Sequence, residues 1–397
     1  MFSKVTPLSG PFYTKALNKA VQNGHLSVIQ WLLENGCQMD QNTMEKAVAT
    51  GSMDLCSWLV RNVCPLTPQA ANAAASAGNL PLLKWLISRQ CPADDSSLFA
   101  AAAAGGHLEI LIWLLSQNYK WKSSTCTAAA EKGHLEILKW ARENGCPWNK
   151  ETAMAAAHSG KLDILQYVLE NNCPYNPKNF SIDVAKSGSI DALNYIQSKG
   201  IHIARGSYGS AAEKGNLEVL KWLLQNGVPK TEFACDWAAV GGQFEVLKWL
   251  RENNFNWNNN GKTIGCAAPY PEIFKWLHAN GCPWDENAIT KIVKEKNVEL
   301  LRWALERGCV APEDICNYAA SKANVPILKV LVEYNYKITS TTCATAVSRG
   351  NMSILSWLVR NGAPLSEEVY AAAEIVADKE IMAWLIEHRC PRLINFF

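Results

Sequence analysis

Apolar and polar positions recur along this chain in a fixed order. From Gly133 it reads GHLEILKWARENGCPW, with apolar Leu135, Ile137, Leu138 and Trp140 set between Glu136 and Lys139. The apolar positions cover more than one narrow helical stripe, so the spacing predicts a helix buried on two sides. The same order returns as GHLEILIWLLSQN from Gly106, GNLEVLKWLLQNGVP from Gly215 and GQFEVLKWLRENNF from Gly242. Taking its Trp as position zero, the series runs through Trp31, Trp58, Trp85, Trp113, Trp140, Trp222, Trp249, Trp276, Trp303, Trp357 and Trp384, and Tyr167, Tyr195 and Val330 fill the gaps. The interval is 27 residues, lengthened to 28 in two places, giving fourteen copies over residues 12–391. Residues 1–11 form a lead segment and 392–397 a tail. The copies read as one array rather than several domains.

Each copy predicts two helices with legible ends. Nine residues after position zero stands a residue that accepts hydrogen bonds from a first helical turn: Asp40, Thr67, Asp94, Asn149, Asn176, Thr231, Asn258, Asp285, Thr339 or Ser366. An Ala-rich helix A follows and stops near a Gly seven before the next Trp; Ala favours helix and lets a neighbour approach closely. Helix B begins at Ser52, Asn79, Asn216, Asn297, Asn351 or an equivalent, with an acid in its first turn and a basic residue three later, as in Glu136–Lys139, Glu218–Lys221 and Glu299–Arg302. Gly or Asn five after the Trp (Gly36, Asn118, Gly145, Gly227, Gly281, Gly362) supplies the left-handed residue that ends the helix. One such pair buries too little surface by itself, so each copy serves as the wall on which the next one folds.

At this point the chain resembles the ankyrin repeats. Ala129 to Cys146, AAEKGHLEILKWARENGC, follows that family's second half: Ala-Ala, two variable residues, Gly-His-Leu-Glu, a Leu-rich helix, then Asn-Gly. The resemblance spans nearly the whole chain. It implies an all-α, ankyrin-like helical-repeat solenoid of about fourteen helix-turn-helix repeats. The usual repeat is about 33 residues long. Here about six are lacking, between the Gly that ends helix B and the next helix A, so the family's β-hairpin fingers are expected to be shortened or absent. The short, Trp-bearing, Cys-Pro-punctuated form looks like arrays expanded in large DNA viruses of amoebae and in protists.

Composition changes the picture little. With 48% hydrophobic residues, 19% charged and a formal net charge of +2, the 397 residues suit a well-mixed core-forming protein. The near-neutral balance speaks against a nucleic-acid or anionic-membrane binder. No run reaches a membrane span, the start lacks an apolar signal region and the end carries no lipidation pattern, so a monomer in the cytoplasm (the host's, for a viral protein) or the nucleus is expected. The fourteen cysteines follow the repeat. Those six after the Trp (Cys37, Cys64, Cys91, Cys146, Cys173, Cys282, Cys309, Cys390) alternate with Ile201, Val228, Phe255 and Ala363, so they read as small apolar residues rather than disulfides or a metal ladder. Trp121, Trp148, Tyr175, Trp257 and Trp284, eight after position zero, read as apolar plugs rather than a base-stacking ladder, and Trp237 stands out of column. His25, His107 and His134 open helix B as capping or turn residues. No catalytic set, phosphate loop or metal motif is present, so no enzyme and no cofactor is expected.

The resemblance assigns partner contact to the variable pair after Ala-Ala: Glu131 and Lys132, His158 and Ser159, Lys186 and Ser187, Glu213 and Lys214, Lys294 and Glu295, Ser321 and Lys322, Ser348 and Arg349. Their mixed charge suits a protein surface. The expected function is a non-catalytic scaffold or adaptor binding a partner protein on the helix-A face. The alternatives are a nucleic-acid-binding helical-repeat protein and a substrate adaptor of a ubiquitin ligase. Three stretches are irregular: ARGSYGS (204–210) places two Gly in a helix A, residues 256–274 carry Pro269 and Pro271, and Val330 replaces the Trp. The array is expected to bend or open around 200–210 and 258–271. Glu374, Asp378 and Lys379 read as an end cap, and the helix A of the first copy as exposed or covered by residues 1–11.

Overall fold

Helix B is nine residues long in all fourteen copies, whereas helix A varies from five residues (Lys262–Cys266) to twelve (Pro11–Gln22). The computed structural model describes residues 10–257, 261–284 and 286–392. Among the described residues there are twenty-eight helices in fourteen consecutive pairs, and no strand. The fold is therefore all-α and built of helical repeats, and among the described residues the links from helix B to the next helix A are short turns with no β finger. The chain divides into two compact units, Met1–Ala204 and Arg205–Phe397, each holding seven pairs. The division falls at the first irregular stretch.

The constancy of helix B follows from its ends. Ser52, Asn79, Asn297 and Asn351 accept from the amide three residues on, at 2.9–3.2 Å. At the other end Asn35, Asn62, Asn144, Asn171, Asn226, Asn253, Asn280 and Asn361 donate their side-chain amides to the carbonyl of position zero at 2.8–2.9 Å. This gives the Asn of the recurring Asn-Gly a role besides the turn: its side chain adds a second hydrogen bond to a carbonyl that already accepts the backbone amide of the same Asn, which fixes the last turn of the helix. The residue five after position zero takes φ of 55–87°, even where it is Val63, Gln90, Asn118 or Asn254.

Helix A is less regular. Asp94, Asn149 and Thr339 cap it as expected. Asp40, Asn176 and Thr231 do not: they lie three or, for Asn176, four residues before the first helical residue and accept from the amide two residues on, closing a turn instead. Thr67 and Ser366 stand at the N-cap without a side-chain cap bond. Asn258 and Asp285 lie outside the described residues. Within each unit every helix A packs on the helices A before and after it, and on its own helix B. Ala70, Ala71, Ala74, Ala102, Ala103, Ala129 and Ala130, all fully buried, make this close approach possible. Leu82, Leu83 and Leu86 of one helix B, and their counterparts elsewhere, fill the layer beneath.

Candidate binding faces

The cysteines are structural. None of the fourteen is in a disulfide, and thirteen of them are buried. Cys91, Cys146, Cys173 and Cys390 direct their thiols to the carbonyls of Thr67, Lys122, Asn149 and Ser366, residues that precede the helix A of their own copy, at 3.3–3.5 Å. A weak donor that fills an apolar site explains Cys where Val or Ala also fits. Burial pushes Cys64, Cys235 and Cys282 up to about 12, and Cys56 and Cys173 up to about 11. Among the described residues no group of three or more His, Cys, Asp or Glu is placed to hold a metal ion.

The histidines that open helix B do not cap it. His107 and His134 make no side-chain cap bond; their Nε2 atoms reach the carbonyls of Ser76 and Ala104 in the preceding copy, at 3.0 and 3.1 Å. Gln243 and Lys161, in the same column, do likewise to Glu213 and Gly133 at 3.3 Å. This column ties copy to copy. Asp378 belongs to it too and caps the last helix B, so it is an ordinary opener of helix B rather than part of an end cap.

The aromatic column eight after position zero interlocks neighbouring copies. Trp121 meets Trp140 edge-on at 5.8 Å, Trp148 meets Tyr167 at 6.1 Å, Trp257 meets Trp276 at 6.1 Å and Trp284 meets Trp303 at 6.2 Å. These rings are half-buried or buried plugs, not a free stacking ladder. The surface ion pairs Glu136–Lys139, Glu218–Lys221, Glu245–Lys248 and Glu272–Lys275 form along helix B at 2.7–3.3 Å. Arg302 departs from the expected i,i+3 pair and binds Glu333 of the next copy at 2.6 Å.

The variable pairs stand at the C-terminal end of helix A. In the first unit Glu131 and Lys132 are exposed and paired with each other at 3.0 Å. His158 is half-buried against Asp183 at 3.1 Å, and Ser159 and Ser187 bond back into their own helix, while Lys186 is half-buried. In the second unit Lys214 is exposed, Glu213 half-buried, and the two lie 3.9 Å apart. Lys294, Glu295, Ser348 and Arg349 are exposed, Ser321 bonds back to Tyr318, and the Lys322 ammonium sits 5.2 Å from the Tyr318 ring centre. Many of these side chains thus have partners within the chain.

The first member of each pair belongs to a longer outward stripe of helix A that sequence reasoning did not assemble. In the copy of Trp140 this stripe is Ser124, Ala128 and Glu131, which help to line a shallow depression of about 330 Å³. A second depression of about 290 Å³, lined by Lys150, Glu151, Met154 and Asp183, shares Glu151 with it. In the second unit the same three positions, counted back from Trp249, are Phe233, Trp237 and Val240, and they are 41%, 46% and 43% exposed. Trp237 lies against the Cα of Gly209 on the preceding helix A, Ser207–Lys214, where a Cβ would come within 2.7 Å of the indole. That contact is the reason for a Gly inside this helix. Gly206, expected in the helix as well, precedes it. The last copy carries apolar Ile375 and Val376 at its variable pair, 86% and 40% exposed.

No family model matches the chain, and no curated protein matches it. Among solved structures it is similar to the ankyrin repeat domain of human ASB11, at 18% identity and a TM-score of 0.33, over 40% of this chain and 84% of that one. It is similar also to the pentatricopeptide repeat protein PPR10 in complex with an 18-nucleotide psaJ RNA element, at 10% identity and 0.31, over 95% of this chain and 85% of that one. It is similar as well to the pentatricopeptide repeat protein PPR10 from maize, at 12% identity and a TM-score of 0.29, over 95% of this chain and 80% of that one. At such scores these likenesses bear on nothing this chain binds. No helix among the described residues is long and apolar enough to cross a membrane.

Proposed function

We propose that the protein is an ankyrin-like, non-catalytic scaffold that binds a partner protein across the outward face of helix A. The observation that carries this reading is the Phe233, Trp237 and Val240 stripe. Three large apolar side chains share one face of a surface helix, and Trp is among the side chains that most often anchor protein interfaces. Its contact with Gly209 holds the indole in place before binding, which lowers the entropy lost on association. Glu213 and Lys214 at the end of the neighbouring helix A supply polar surroundings of the kind found at interface rims. In the first unit the two depressions carry three carboxylates (Glu131, Glu151, Asp183) against one ammonium (Lys150), a balance that repels a phosphate backbone. The reading needs neither cofactor nor catalysis. It is compatible with a monomer in the cytoplasm or nucleus.

The test compares two exposed tryptophans. Trp237→Ala is expected to weaken capture of protein partners from a nuclease-treated lysate by about 2 kcal/mol, roughly 30-fold, as loss of an interface anchor does. Trp31→Ala, on a helix B and 56% exposed, is expected to leave capture unchanged. Equal behaviour of the two variants, or recovery of nucleic acid alone with a steep salt dependence, would overturn the proposal.

A further inference from the structure

The turn after the helix Leu162–Glu170 borders a cavity of about 530 Å³ whose walls include Leu169, Glu170, Cys173, Tyr175, Tyr195 and Lys199. Two sister copies show what fills the corresponding place. Arg142, two residues after its Trp, lays its guanidinium 4.2 Å from the centre of the Trp148 ring and donates to the Cys146 carbonyl. Arg251 repeats the arrangement over Trp257 at 4.2 Å, with 2.7 Å to the Phe255 carbonyl. In the copy built on Tyr167 the three equivalent residues are Leu169, Tyr175 and Cys173. The ring and the carbonyl are retained, and the guanidinium is replaced by an alkyl side chain.

The setting differs from both sisters in the length of the interval that follows. This copy is one of the two followed by a 28-residue interval, and Tyr195 stands in place of the usual Trp. Glu170, which matches Glu143 and Glu252 of the two sisters, lies 3.1 Å from the Tyr195 hydroxyl and 4.0 Å from the Lys199 ammonium. The copy of Trp113 also has an alkyl residue, Leu115, at the Arg position, but there Trp121 meets two rings, Phe99 at 5.4 Å and Trp140 at 5.8 Å, where Tyr175 meets Phe180 at 4.6 Å.

We propose that this cavity receives an arginine side chain from a partner protein. The guanidinium lies on Tyr175, donates to the Cys173 carbonyl and pairs with Glu170, reproducing from outside the contact that Arg142 and Arg251 make from within. A planar, forked cation fits this combination and a lysine ammonium does not. Lys199, 5.3 Å from the Tyr195 ring centre and sharing Glu170, is the built-in competitor that an incoming arginine displaces. The site belongs to the turn after a helix B, so it stands or falls independently of the helix-A stripe.

The test is a titration of the methyl-labelled protein with the capped tripeptide acetyl-Gly-Arg-Gly-amide and with its lysine counterpart, followed at the Leu169 and Ile201 methyls. Saturable shifts with the arginine peptide, at least about fivefold weaker with lysine, are expected. Glu170→Gln should weaken arginine binding about fivefold and Lys199→Ala should tighten it. Leu169→Arg, which restores the internal guanidinium, should abolish binding, with the Ile201 methyl as the readout in that variant. Absence of saturable shifts, equal affinity for the lysine peptide, or arginine binding unmoved by Glu170→Gln would overturn the proposal, whether or not Leu169→Arg folds.

Discussion

Gly105 and Gly241 show how single residues set the spacing of this molecule. Neither takes a left-handed φ, so neither is required by backbone conformation. A Cβ at Gly105 would lie 2.2 Å from the Ser76 carbonyl oxygen, and one at Gly241 would lie 2.1 Å from that of Glu213. The same two carbonyls take the hydrogen bonds of His107 and Gln243. Each Gly-Gly-His or Gly-Gly-Gln therefore forms one clasp on the preceding helix A. Gly105→Ala should lower stability by about 1–2 kcal/mol in denaturant unfolding: it gains about 1 kcal/mol of helix propensity but forces two backbones apart. A stabilised variant would show that the helices have room to separate. The buried thiols give a second expectation. Thiols raised from 9.0 to about 11–12 in the fold stay protonated where the unfolded chain already ionises. Their contribution is intact below pH 9 and is lost as pH rises from 9 towards 12. The melting temperature should fall across that window, and at pH 8 the thirteen buried thiols of the native protein should resist alkylation that reaches all fourteen after denaturation.

Between helices the contrast is of one constant and one variable element. Helix B keeps nine residues because both its ends are fixed within the repeat, by an opener at one end and by Asn and a left-handed residue at the other. Helix A has no such fixed start, and its length follows the turn before it. The extreme is Lys262–Cys266, five residues between Gly261 and the Tyr270–Pro271 opening of the next helix. So short a helix has few internal hydrogen bonds to protect. Amides of residues 262–268 should exchange with solvent faster than those of the helix Phe244–Glu252, and uniform protection would refute this. The expectation for 258–260 lies outside the described residues.

For the chain as a whole, the period, the two helices per copy and the buried faces were legible because they follow from local chemistry repeated fourteen times. Trp, Leu and Ala at fixed offsets can be buried in one way only when each copy packs on the last. The candidate face was legible in part. The variable pairs could be read off, and Trp237 could be seen to break column, but not that Phe233, Trp237 and Val240 form one exposed stripe; that depends on the phase of a helix whose start the turn sets. The partner of His158, Asp183, comes from the neighbouring copy and leaves no mark within either.

The sequence by itself determined the all-helical repeat, its register and the roles of Ala, Gly, Asn and Leu, since propensity, capping and periodicity act within a few residues. Tertiary structure alone decided which thiol meets which carbonyl, why His107 and Gln243 reach back rather than cap, and where a Tyr and a carbonyl are left beside an open cavity. Those outcomes depend on distances between groups 24 to 31 residues apart, which only the packing of helix on helix, within a copy and between copies, fixes.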